Sequence, residues 1–348
     1  MSAQRSQPES PAPVGDGPER SGAGPAQAPW CCQGDVPMGS DPVVCEGDAV
    51  VDGAVRVGAS IRAGGSVCVG ASTEHATIEA GGDIEVASAM VGGRGGSYTS
   101  GGSVRFRLAN GATIHAEDNV SGELEMAGCR ITCGGAVRCP IGHILGGHVT
   151  AVGGLVCGTL GSPGVGGVPT VVEVGIDDKL RRLSDRHAPT IMANLERAEK
   201  IRNKVGPLMA HMKRLTAQQR ETATELLTEA SMLYDETNAL VTTLRGAMAE
   251  SEMRAVRSVF VAAVIHPGTT IRFPAAQMII EKAYKGPVRL VSDGRGSAAK
   301  VQAVDPTTGS VTTPKFALYA DASLEALARA IAAVESAQAA AQAMRKAA

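Results

Sequence analysis

Between residues 43 and 160 one phrase keeps returning, and it restricts the fold more than any other property of the chain. It runs Ile61-Arg-Ala-Gly-Gly-Ser-Val67-Cys-Val69, then Ile78-Glu-Ala-Gly-Gly-Asp-Ile84-Glu-Val86, then Tyr98-Thr-Ser-Gly-Gly-Ser-Val104-Arg-Phe106. Looser copies begin at Ile114, Ile131 and Val149, so the steps are 17, 20, 16, 17 and 18 residues. Alternation on either side of the Gly pair is the period of a strand with one buried face. The Gly pair reads as a corner, a place where positive φ is free of Cβ strain. Two short strands and a corner cannot bury their apolar faces alone, but stacked copies can.

Stacking predicts aliphatic ladders. Ile61, Ile78, Tyr98, Ile114, Ile131 and Val149 form one, and Val67, Ile84, Val104, Val120, Val137 and Leu155 form another. A third position stays small: Ala63, Ala80, Ser100, Ala116, Cys133, Ala151. The pattern predicts a mainly β chain, a right-handed parallel β-helix. The uneven step length disfavours the left-handed hexapeptide helix, whose three equal faces demand a constant turn.

From Asp177 the pattern becomes helical, with Asp177 and Asp178 at the favourable end of the helix dipole. Leu180, Leu183, His187, Ile191, Leu195, Ala198, Ile201, Val205, Leu208, Met212 and Leu215 recur at steps of three and four. Pro189 and Pro207 predict kinks, or a helix that starts near Pro189. Thr216 is placed to cap a second helix, whose stripe is Ala223, Leu226, Ala230, Leu233, Thr237, Leu240, Leu244 and Met248. The two stripes read as a long antiparallel coiled-coil hairpin inserted into the β region. The predicted organisation is a Pro/Gly/Ser-rich disordered tail over 1–40, β-helix over 41–176 and hairpin over 177–256. A β segment returning to the solenoid follows over 257–320, and an Ala-rich helix over 321–348.

The Gly47-Asp-Ala-Val-Val-Asp-Gly53 opening, the AGGD-type rungs, the Val-x-Val-Gly-Ile-Asp hinge at Val172–Asp177, the hairpin and His266-Pro-Gly-Thr-Thr-Ile-Arg-Phe273 occur in that order. In this the chain resembles the flagellar assembly protein A family over roughly residues 43–320. The resemblance implies a right-handed β-helix interrupted by a coiled coil, a link to flagellar or cell-pole assembly, and no catalytic residues to carry over. Members of that family generally carry a further N-terminal domain, where this sequence shows a short tail.

Chemistry-bearing residues fit structural roles. Cys129, Cys133, Cys139 and Cys157, with His143 and His148, make the best metal candidate, yet they lack C-x2-C spacing, and the thiols occupy small interior positions of the repeat. Gly92–Gly96 and Gly161–Gly167 lack the form of a phosphate loop. Lys282–Lys285 with Arg289, Arg295 and Lys300 is a mildly basic face without interleaved aromatics. The outward rung residues Arg62, Glu79, Thr99, His115, Thr132 and Thr150 are chemically mixed, and His115 is the one titrating candidate on that line. Cys31 and Cys32 follow Trp30 at the end of the tail.

The expected protein is therefore a non-enzyme with no cofactor, no metal and no catalytic residue: a cytoplasmic scaffold. Its partners are expected to be proteins, bound through the hairpin and the solenoid faces, with a homo-oligomer left open. A net charge of -2 argues against nucleic acid, and no apolar run is long enough for membrane insertion. Two alternatives stand beside this reading: a bactofilin-like rod that polymerises end to end, and a β-helix carbohydrate-active or acyl-transfer enzyme.

Overall fold

In the computed structural model the repeated phrases wind into a β-solenoid whose successive turns pair in parallel, like positions over like positions. The structure describes residues 29–347 except 94, 164–167, 210–214 and 294–297. The tail (1–28), Arg94, part of the Gly161–Gly167 stretch, Met212 and Arg295 lie outside the described residues.

Two sheets form the walls. In one, Ser60–Ala63, Thr77–Ala80, Ser97–Ser100, Thr113–Ala116, Arg130–Cys133, Gly147–Ala151, Thr170–Val174 and Thr270–Phe273 stack in that order. In the other, Val67–Val69, Ile84–Val91, Val104–Asn110, Val120–Ala127, Val137–Leu145, Leu155–Leu160 and Ser258–Ile265 do the same. The expected ladders are present: Ile61 lies over Ile78, then Tyr98, Ile114, Ile131 and Val149, each at most 1% exposed. Tyr98 fits the dry interior because its hydroxyl lies 2.7 Å from that of buried Thr73.

The corners differ from expectation in mechanism. The paired glycines at 64–65, 81–82 and 101–102 do not have positive φ. Their lack of a side chain serves close approach instead. A Cβ on Gly81 would lie 2.1 Å from the Gly64 carbonyl oxygen of the turn below, and one on Gly101 would lie 2.2 Å from that of Gly81. The polar residue after each pair also has a task. Asp48 Oδ1 accepts from the Ser66 amide, Ser66 Oγ from Asp83, Asp83 Oδ1 from Ser103, and Asn119 Oδ1 from Ala136. Each turn thus satisfies a backbone donor of the next one up.

Two boundaries need correction. The solenoid begins within the expected tail: Trp30–Cys32 pairs in parallel with Ala49–Val51, and Val36 bridges Val55. Trp30 and Cys32 supply inward side chains to the core there. The first helix does not start at Pro189 either. Helix α1 runs from Asp178 to Met209 with both prolines inside it, and α2 runs from Ala217 to Arg254. A proline inside a helix costs about 3 kcal/mol, but tertiary contacts pin both sides of Pro189. Ser184 Oγ donates to the Ser323 carbonyl, and Ala188 and Ile191 are buried in the core shared with α3. Thr216 caps α2 as its position predicts, in a reciprocal capping box with Gln219.

The hairpin replaces one corner. Val174 still stands over Ala151, and Val259 over Leu155. The amides of Gly175 and Val256 bond to the carbonyls of Ala151 and Val152, as corner residues do elsewhere. An excursion of about eighty residues therefore leaves and re-enters the stack without breaking its register.

Helix α3, Ala322–Ala347, does not stand apart. Leu327, Ala330 and Val334 share a core with Leu180, Ala188, Ile191, Leu195, Val241 and Leu244, so the near half of the hairpin is a three-helix bundle. The far half has a second core, Ala198, Ile201 and Val205 of α1 with Ala223 and Ala230 of α2. Beyond Ser258–Ile265 and Thr270–Phe273 the pairing turns antiparallel, through Val288–Asp293 and Lys300–Val304 on one sheet and Ala276–Ile279 and Ala317–Leu318 on the other. The reversed strands end the parallel stack at this end.

Candidate functional site

The middle residue of each second-strand turn forms one outward line: Val44, Arg62, Glu79, Thr99, His115, Thr132, Thr150, Glu173, Arg272. At its lower end the line is open to solvent, and Arg62 and Glu79 form an exposed ion pair at 2.7 Å. At its upper end the starts of α1 and α3 lie across it, and the Glu173 side chain is only 3% exposed.

Glu173 is the centre of a buried charge cluster. Its Oε1 takes a bond from Arg272 Nη1 at 3.1 Å. Its Oε2 takes one from Arg181 Nη1 at 2.6 Å and one from Thr150 Oγ1 at 3.3 Å, with His148 Nε2 also at 3.3 Å. Arg181 reaches onward through Nε to Asp321 Oδ2 at 2.5 Å, and Asp321 Oδ1 caps α3 by accepting from Ser323 and Leu324. Arg272 is held in turn by Gln277 and by the Tyr319 ring, 5.4 Å away. Burial by itself would push the Glu173 carboxyl up. The bonds from His148, Arg181 and Arg272, and the charge of Arg181, outweigh burial and hold it far below the usual carboxylate range.

The cluster sets two arginines against two carboxylates, with the Glu173 carboxyl held ionised. It joins three parts of the chain, namely the solenoid wall, the root of α1 and the cap of α3. Such a network is costly to break, because removing one partner strands a buried charge.

The residues singled out from the sequence are dispersed. Cys129, Cys133, Cys139 and Cys157 point into the core, where burial pushes all four thiols up, Cys133 to about 12 and Cys139 to about 11. His143 faces solvent and His148 faces Glu173, so strand alternation separates the two imidazoles from the four thiols. Among the described residues no group of three or more metal-ligating side chains comes together. His115 sits 3.7 Å from Glu117 beside a cavity of about 170 Å³ lined also by Lys179, Arg182, Leu183 and Arg186. Lys282, Lys285 and Lys300 are exposed on the antiparallel end of the stack, and Arg289 lies over the Phe260 ring.

Glu173 escaped the sequence reading, which followed the outward line only as far as Thr150. Its signal was a lone acid inside the last strand before the insertion. Its partner Arg181 is eight residues on, and Asp321 lies 140 residues beyond that.

Among the described residues no helix is long and apolar enough to cross a membrane. A family model described as the Flagellar Assembly Protein A (FapA) beta solenoid domain matches residues 30–296, from the first strand of the stack through the inserted hairpin to the antiparallel end. No curated protein and no solved structure matches the chain.

Proposed function

The chain belongs to the flagellar assembly protein A β-solenoid family, and from that premise we propose that it works as a rigid, non-catalytic scaffold in flagellar assembly, with the hairpin as the arm that meets a protein partner. The observation that carries this reading is the lock at the root of the arm. A flexible tether needs no buried ion network, whereas an arm that must point in one direction does. Arg181 bonds to Glu173 on the solenoid and to Asp321 at the start of α3, and α3 buttresses the near half of the hairpin. The far half is built on a core shared by α1 and α2. Met232 there is 67% exposed, on the α2 face formed by Glu221, Thr224, Glu225, Thr228 and Glu229. Long helical arms of this kind recognise partners through side chains at helical spacing.

The solenoid supports the same reading. Its ladders fill the interior with aliphatic side chains at close to zero exposure, which suits stiffness.

A corner graft tests the proposal. Residues 176–255 are replaced by the short corner of the preceding turn, α3 is removed with them, and the product is returned to a flagellated host lacking the gene. The expected result is a folded solenoid that does not restore flagellar number and placement, which the full chain does restore. Restoration by the armless chain would overturn the role given to the hairpin. Normal flagella in the strain lacking the gene would overturn the assembly role itself.

A further inference from the structure

The two ends of the solenoid are built differently. At one end the antiparallel strands close the stack. At the other, among the described residues, Trp30–Cys32 and Val43–Cys45 each pair on one side only. Their inward side chains, Trp30, Cys32, Val43 and Cys45, are only partly buried, whereas Ala49, Val51 and Ile61 one turn up are at most 1% exposed. This end is an apolar plate rimmed by two open strand edges.

The hydrogen-bond pattern identifies which groups the edges offer. The Trp30 amide and the Cys32 carbonyl bond upward, to Asp48 and Asp52. Because alternate residues of a strand point their N–H and C=O to opposite sides, both groups of Cys31 face the open edge. In the same way the Cys45 carbonyl bonds to the Gly64 amide, so both groups of Val44 face outward. The next edge-facing positions, two residues back, are Pro29 and Pro42, which have no N–H to give. Within each of these three-residue strands a single residue, Cys31 or Val44, turns both a donor and an acceptor to the edge.

One residue that offers both groups is self-complementary. We propose that a second copy of this chain covers this end, related by a two-fold axis, with Cys31 opposite Cys31 and Val44 opposite Val44. Each pair exchanges two backbone bonds as antiparallel strands do, and the two apolar plates meet. The prolines hold the pairing to that register. The closed far ends limit the assembly to two copies, a double-length rod rather than a filament. Residues 1–28 are a poor alternative cover. They contain Pro8, Pro11, Pro13, Pro18 and Pro25, no aromatic residue, and Val14 as the sole β-branched residue.

The test is the mass of the full chain in solution, by sedimentation equilibrium across a concentration series. The expected species has twice the 35.5 kDa chain mass. Cys31→Pro removes the edge donor, and Val44→Asp places charge on a side chain that is 71% exposed. Both should give monomers with unchanged circular dichroism. In a hydrogen-bonded antiparallel pair the Cα atoms lie about 5.5 Å apart, within disulfide reach. Mild oxidation with diamide should then yield a covalent dimer that Cys31→Ser abolishes and Cys68→Ser preserves. A monomer at every concentration would overturn the proposal, as would a dimer indifferent to both edge substitutions. Dimerisation that appears only after residues 1–28 are removed would assign the edge to the tail and overturn it equally.

Discussion

Arg181 on the first helix lies 2.6 Å from Glu173 on the solenoid wall, with side-chain exposures of 17% and 3%. Eight residues separate them in sequence, yet the pair belongs to two different structural units and fixes how one leaves the other.

Replacing Glu173 with Gln should cost on the order of 3–5 kcal/mol of stability, because Arg272 then loses its carboxylate partner and Arg181 is left with Asp321. Glu79→Gln, on the same outward line but in the exposed pair with Arg62, should cost about 1 kcal/mol or less. Urea denaturation of the two variants compares the same chemical change at the two ends of one line. Equal losses would show that the buried cluster has no special weight.

Acid should loosen the same junction. The Glu173 carboxyl is depressed in the folded chain, so below its ordinary value of 4.5 the unfolded chain takes up a proton that the folded chain refuses. Its contribution is therefore fully present above that pH and declines as pH falls toward the folded value. The melting temperature of the wild type should drop more steeply below pH 4.5 than that of Glu173→Gln. Parallel curves would contradict the assignment.

Glycines should divide by location. Gly81→Ala puts a methyl group 2.1 Å from a backbone oxygen that cannot move aside, and should destabilise by about 1–3 kcal/mol or more. Gly246→Ala, inside α2 with nothing within 4 Å, should stabilise by roughly 0.5–1 kcal/mol. Thermal melts of the two variants should shift in opposite directions.

The thiols should fall into two classes. Native protein treated with iodoacetamide at pH 8 should be alkylated at the exposed Cys31 and Cys68. Cys129, Cys133, Cys139 and Cys157 should stay unmodified until denaturant is added, since burial both blocks access and keeps them protonated. Mass spectrometry of digests reads this directly. Rapid native modification of Cys157 would show that the solenoid interior is open.

Much of this architecture was legible in the chain because the solenoid repeats itself. Ile61, Ile78 and Ile114 carry the same message three times, and their spacing alone places one above the next. The Thr216 cap was legible for a similar reason, since a capping box lies within four residues. The start of the stack at Trp30 was obscured because an end turn has half the neighbours and so a weaker pattern. The continuity of α1 through Pro189 was obscured because local propensity opposes it, and the contacts that overrule it come from Ser323 and from the α3 core.

Periodicity along the chain determined the parallel stack, its aliphatic ladders and the presence of two long helices, because these depend on residues near in sequence or equivalent by repetition. The tertiary structure alone decided that the glycine pairs at 64–65, 81–82 and 101–102 serve close approach rather than unusual φ, that α3 joins the hairpin, and that Glu173, Arg181 and Asp321 meet. Those relations are set by distances between non-repeating segments up to 140 residues apart, and an isolated charge carries no period that would reveal its partner.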